Sequence, residues 1–206
     1  IRTAISAAGF PQGKDIIKYA SGTYSFNSGA DCVVDAEEFE RLCKQADRPD
    51  ATLPQQEEAL SRAFALYRGD FLPRSRHEPW VVPIATYYHS LYLRSVGRLI
   101  GILTQRKKYE EIVSVCEKAL LVDQFEESIH EELIRALIAQ NKQKKAMEHY
   151  QHVTDLFYRS MGVRPSESLR TLYRDIIKTV NMVETDLEVI KEDLRERSLA
   201  EGAFLC

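Results

Sequence analysis

Five histidines and four cysteines are the residues of this 206-residue chain best suited to ligate a metal or act on a substrate. His149 and His152 are three apart, so a helix would carry both imidazoles on one side. Glu127 and His130 share that spacing and resemble one half of the carboxylate–imidazole sites built inside helical bundles. Their companions are missing, since there is no H-E-x-x-H and no second E-x-x-H at matching distance. Cys32, Cys43, Cys116 and Cys206 make no C-x-x-C pair and no zinc-like spacing. Phosphate-cradling G-x-x-x-x-G-K, dinucleotide G-x-G-x-x-G and nucleophile G-x-S-x-G patterns are also absent. These residues point to no metal, no cofactor and no catalytic group, and the chain is not expected to be an enzyme.

The elements that would carry these side chains repeat. Leu99, Leu103, Ile112, Cys116 and Ala119 recur as Leu133, Leu137, Ala146, Tyr150 and Val153, each pair 34 positions apart. Within each unit the apolar positions have helical spacing, and a helix–turn–helix repeated at 34 resembles tetratricopeptide (TPR) packing. Such units bury their apolar faces by stacking and present a concave surface, which argues for a binding scaffold. The four repeat helices are expected at about 84–105, 109–122, 126–140 and 143–160, with Asp123 and Asn141 in turns. Two units are fewer than the usual three, so residues 35–67 must supply the missing layer.

Composition agrees with a globular chain: 44% hydrophobic, 29% charged and a net charge of −3. No apolar run approaches the length of a bilayer span, and Ile1 to Phe10 lacks the layout of a signal peptide. A cytoplasmic protein with reduced cysteines is expected, with no membrane partner. The chain opens on Ile1 and closes on Gly202-Ala203-Phe204-Leu205-Cys206, and it reads as a piece of a longer protein.

Residues 1–34 are different. Arg2 to Ala8 suits the tail of a helix, broken by Gly9-Phe10-Pro11-Gln12-Gly13. Ile16 to Tyr19 and Thr23 to Phe26 read as a β-hairpin around Ala20-Ser21-Gly22. Asp35 is expected to cap a helix with Glu38 in a capping box, and a second helix to run from about Gln55 to Tyr67. Between 68 and 83 lies an irregular connection in which Trp80 is expected to anchor the segment. Gly162 and Pro165 end the last repeat helix, and Ser166 starts another. In that one Leu169, Tyr173, Ile176, Val180, Val183, Leu187, Ile190 and Leu194 alternate spacings of four and three, a heptad seam. The seam either pairs protomers or leads to another domain, or folds back on its own core. The fold class expected is mostly α: a TPR-like α-α superhelix with a small N-terminal β-hairpin and a long C-terminal helix.

Several motifs in order resemble one family. They are Leu66-Tyr67-Arg68-Gly69-Asp70-Phe71-Leu72-Pro73, Glu78-Pro79-Trp80-Val81, Tyr109-Glu110-Glu111 to Ala119-Leu120, and Leu156 to Pro165-Ser166 with Leu169 and Tyr173. Over roughly 35–180 the chain resembles the bacterial transcriptional activation domain of antibiotic-regulatory (SARP-type) activators. The resemblance implies that residues 1–34 are the C-terminal remnant of an OmpR-type winged helix, with the end of its recognition helix at Arg2 to Ala8 and its wing at Ile16 to Phe26. Residues 181–206 would then be a connector helix toward a further region. It also implies promoter DNA as a partner of the full-length protein, a homodimer, and contact with RNA polymerase or another regulatory domain.

On that reading Arg2, Lys18, Ser21 and Thr23 are the candidate DNA contacts, although residues 1–34 carry a net charge of only +1. Tyr88, Tyr92, Arg98 and Arg135 are candidates for a partner groove on the first helices of the repeats, beside Tyr87, His89, Arg94 and Gln140. The alternative is that Tyr88 and Tyr92 pack inward with Leu91 and His89 covers the surface. Val180, Val183, Leu187, Ile190 and Leu194 are the candidate dimer or connector positions. Lys142, Lys144 and Lys145 form a basic turn whose default is a solvated surface. The competing function is a TPR-type adaptor that binds a peptide or protein with no DNA role.

Overall fold

The computed structural model describes residue 7, residues 16–27 and residues 33–178. Arg2, the seam positions Val180, Val183, Leu187, Ile190 and Leu194, and the whole of 181–206 lie outside the described residues.

Strand β1 (Ile17–Ala20) pairs antiparallel with β2 (Thr23–Phe26), Lys18 opposite Ser25 and Ala20 opposite Thr23. The loop is one residue shorter than expected. Ala20 belongs to β1, and Ser21 and Gly22 alone turn the chain with φ of 49° and 78°. Two central residues with positive φ suit a type I′ hairpin, whose twist matches that of the strands.

Helix α1 (Asp35–Ala46) begins one residue earlier than the sequence suggests. Asp35 is its first helical residue, its carboxylate accepting from the Ala36 N–H at 2.8 Å, so Glu38 sits one position too far along to close a capping box. Glu38 instead grips Arg41 through two bonds of 2.6 and 2.7 Å. The capping device lies at α2 (Leu53–Leu66), where Gln55 Oε1 accepts from the Thr52 N–H at 2.9 Å and its hydroxyl at 3.0 Å.

Two helical hairpins follow, α3 (Val81–Gln105) with α4 (Tyr109–Leu120), and α5 (Glu127–Ala139) with α6 (Gln143–Met161). All four lie within about a turn of their expected bounds. α3 starts earliest, because Pro83 falls in its first turn, where a missing N–H breaks no helical bond. Trp80 does not anchor this segment. It is 56% exposed at the helix start, and the adjoining Val81, fully buried, does the packing.

The 34-residue period is visible atom by atom. Leu99 and Leu133, Leu103 and Leu137, Ile112 and Ala146, Ala119 and Val153 are all buried. Tyr150 alone departs from its pair: Cys116 is fully buried, whereas Tyr150 is half-buried and stacks on Tyr173 at 4.0 Å. The turns repeat as well. Lys107 and Asn141, 34 apart, both adopt the left-handed conformation, with φ of 56° and 58°. The next residue's N–H bonds back to Leu103 in one turn and to Leu137 in the other, at 2.9 Å each. Each is a Schellman motif that satisfies carbonyls left over at a helix end.

The missing layer is where it was expected. α1 and α2 pack on α3, with Tyr67 stacked on Tyr92 at 4.2 Å and Phe39 against Tyr67 at 5.2 Å. At the far end Gly162, φ 69°, closes α6. Ser166 then caps α7 (residues 167–178), its hydroxyl accepting from the Leu169 N–H at 3.3 Å. Its own N–H donates to Glu127 at 2.8 Å, and Leu169 and Ile176 are buried. The described residues are mostly helical, TPR-like in arrangement, with one small N-terminal hairpin. No helix among them is long and apolar enough to cross a membrane.

Candidate functional site

The first helices of the two pairs, α3 and α5, and the following α7 face one another across three hollows. One, of about 410 Å³, lies between α3 and α5; its floor is Leu93, Gly97, Ile100 and Gly101, and its far wall Ile129, Glu131 and Glu132. Two more, of about 350 and 290 Å³, lie between α5 and α7 and share Arg135, Leu172 and Asp175. Arg135 reaches back to Glu131 at 3.6 Å and Glu132 at 3.9 Å, which joins the hollows into one inner face.

Gly97 and Gly101 stand four apart within α3, and a Cβ on either would meet nothing within 4 Å. Each costs the helix about 1 kcal/mol relative to alanine, with no internal contact to require it. Their effect is to leave backbone bare along the floor. A pair of helical glycines spaced to share a face is the signal in the sequence that marks this groove.

The structure separates the four expected groove residues. Arg135 is on the inner face and 52% exposed. Tyr92 is 1% exposed, held between Phe64 and Tyr67, and belongs to the core. Tyr88 packs on Phe71 at 5.5 Å and Phe39 at 6.4 Å, lining a separate hollow of about 290 Å³ beside Gly69 and Asp70. Arg98 ties down the C-terminus of α1, donating to Asp47 and, at 3.0 Å, to the Ala46 carbonyl. That is the favoured place for a cation on a helix dipole. His89 spans two carboxylates, Nε2 at 3.2 Å from Asp123 and Nδ1 at 3.4 Å from Asp70, and so fastens the 67–80 connection to the α4–α5 turn.

Of the expected DNA contacts, Lys18, Ser21 and Thr23 are all exposed on the hairpin. Lys18 and Thr23 share a face with Ala20 and Ser25, opposite the Tyr19–Tyr24 ring pair at 4.7 Å. Lys18 is the one charged residue between 16 and 27.

The histidines singled out by spacing meet one another, not a metal. His130 Nε2 donates to the Gln124 carbonyl at 2.9 Å, and its Nδ1 lies 3.0 Å from His149 Nε2. A carbonyl only accepts, so a neutral His130 carries its proton on Nε2 and accepts from His149 through Nδ1. Burial pushes both imidazoles below their usual range, His149 down to about 4. Among the described residues no cluster of three or more His, Cys, Asp or Glu could hold a metal. Burial also pushes the Cys116 thiol up to about 12.

Comparison with known proteins places this arrangement. No curated protein matches the sequence. Among solved structures, Mycobacterium tuberculosis EmbR in complex with a low-affinity phosphopeptide superposes with a TM-score of 0.55 at 19% identity, over 86% of this chain and 47% of that one. The Hsp90 co-chaperone Cns1 from Saccharomyces cerevisiae (delta69) gives 0.58 at 15%, over 82% and 47%. These likenesses establish the helical-repeat fold, and the chain spans about half the length of each. The family model described as the bacterial transcriptional activator domain matches residues 34–177, from the start of α1 to the far end of the inner face. The chain belongs to that family.

Proposed function

We propose that the chain is part of a cytoplasmic DNA-binding transcription regulator, its helical domain making the protein–protein contacts or dimer contacts through which the regulator acts. The observation that carries this is the family match over residues 34–177, supported by a β-hairpin at Ile17–Phe26, where the reading expects a wing. On this reading residues 1–34 close a winged-helix DNA-binding domain, residues 35–180 form the activation domain, and 181–206 form a connector. Arg2, Lys18, Ser21 and Thr23 meet promoter DNA. Val180, Val183, Leu187, Ile190 and Leu194 pair protomers or lead to a further region. RNA polymerase or another regulatory domain is the protein partner, held on the inner face around Arg135.

The test is salt-dependent binding of the natural full-length protein to DNA from the promoters of its own and neighbouring genes. Specific binding about 10³-fold or more above unrelated DNA is expected. Lys18→Gln should weaken binding to all sequences and reduce the salt slope by about 1. Equal affinity for every fragment, or none, overturns the DNA role.

The likeness to Cns1, together with the inner face, supports a second reading as a TPR-type adaptor without a DNA role. The same binding experiment separates the two.

A further inference from the structure

We propose that the inner face docks a positively charged polypeptide segment, a lysine or arginine side chain meeting Glu131 and Glu132 while small or apolar side chains lie along Gly97 and Gly101. This rests on the reading of the helical domain as a protein-contact module and adds the chemistry of the partner.

The lining of the inner face is predominantly acidic. Glu131, Glu132, Glu167 and Asp175 line the three hollows, against Arg135 as their one base. Glu167 is met by Arg170 and Arg174 on its own helix, and Asp175 by Lys178 at 3.7 Å. Glu131 and Glu132 have Arg135 between them, at 3.6 and 3.9 Å, longer than a hydrogen-bonded ion pair. Two carboxylates sharing one loosely held guanidinium leave a net negative site that a second cation completes. Lys142 in the α5–α6 turn and Lys144 and Lys145 in the first turn of α6, all exposed, do not line these hollows. The domain therefore keeps an acidic inner face, with the basic start of α6 outside it.

The floor is open and apolar. The bare backbone at Gly97 and Gly101 admits a chain closer to α3 than any side chain would, and Leu93, Ile100 and Ile129 give it an apolar floor. Charge also argues against the chain's own segment 184–201 as occupant, since that segment holds seven acids and three bases.

The experiment is selection of a displayed library of random peptides, about twelve residues long, against the 206-residue chain, followed by fluorescence anisotropy on enriched peptides. Peptides rich in lysine or arginine are expected. Their affinity should fall about tenfold in Glu131→Gln/Glu132→Gln. It should also fall in Gly97→Leu, whose thermal midpoint is not lowered, because the new side chain enters open space on a helix. Enrichment of neutral or acidic peptides that Gly97→Leu still excludes overturns the cationic partner and leaves the protein-contact reading standing. No enrichment, or affinity unchanged in both variants, overturns the inner face as a docking site.

Discussion

Lowering the pH should destabilise this domain through His149 in particular. In the fold its ring donates to His130, is half-buried, and faces a second imidazole from α5 and a third, His152, from its own helix. The charges of Glu127 and Asp123 act on His130 in the opposite direction, without reversing its shift. The imidazole is held at about 4 against an ordinary 6.5, so the folded state resists the proton that the unfolded chain accepts. A depressed folded value means stability fully present above 6.5 and lost as pH falls toward 4. The whole interval is worth about 3 kcal/mol, and partial exposure of the ring screens it to about 2 kcal/mol. Urea unfolding at about pH 7.5 and about pH 4.5 measures the loss, with His149→Gln as the reference. Glutamine keeps a neutral donor toward His130 and cannot titrate, and the carboxylates common to both proteins cancel. Wild type should lose about 2 kcal/mol more than the variant over this range. A difference below about 0.5 kcal/mol, or wild type gaining on the variant as pH falls, would refute the neutral-pair argument.

Lys107 sits in left-handed backbone at the α3–α4 turn. Lys107→Gly should therefore stabilise the domain by up to about 1 kcal/mol in urea unfolding, the relief of a Cβ clash exceeding the added unfolded-state entropy. Ile134, fully buried in α5, should cost about 2–5 kcal/mol as Ile134→Ala, whereas Trp80→Ala should cost less than about 1 kcal/mol. Cys116, buried and with its thiol pushed up to about 12, should resist iodoacetamide in the native state and react on unfolding, read by peptide mass spectrometry.

Much of this fold is legible because its core positions recur at a fixed interval, and recurrence survives without knowing what packs on what. Gly162 and Ser166 were readable for a related reason, since caps are local chemistry. Arg98 is not legible, and Tyr92 reads in the sequence either as a groove residue or as packed inward with Leu91, the second being what the fold shows. Both are amphipathic residues on a long helix whose polar ends look alike in one dimension. Arg98 finds its partners 51 and 52 residues away at Asp47 and Ala46, beyond any local pattern. Trp80 misled through its size, because burial there was decided by Val81, one step into the helix. The acidic inner face is not legible in the sequence, because Glu131 and Glu132 read as an ordinary solvated turn of helix until α3 and α7 are set on either side.

Each helix of this domain packs chiefly on the one or two that precede and follow it. A structure joined that way behaves as a short spring. Its curvature is the sum of small rotations at successive seams. A small change of angle at the seams around α5 would therefore change the width of the channel between α3 and α7. An occupant pressing on α5 would alter the angle to both neighbours at once, delivering a mechanical signal to whatever adjoins either end.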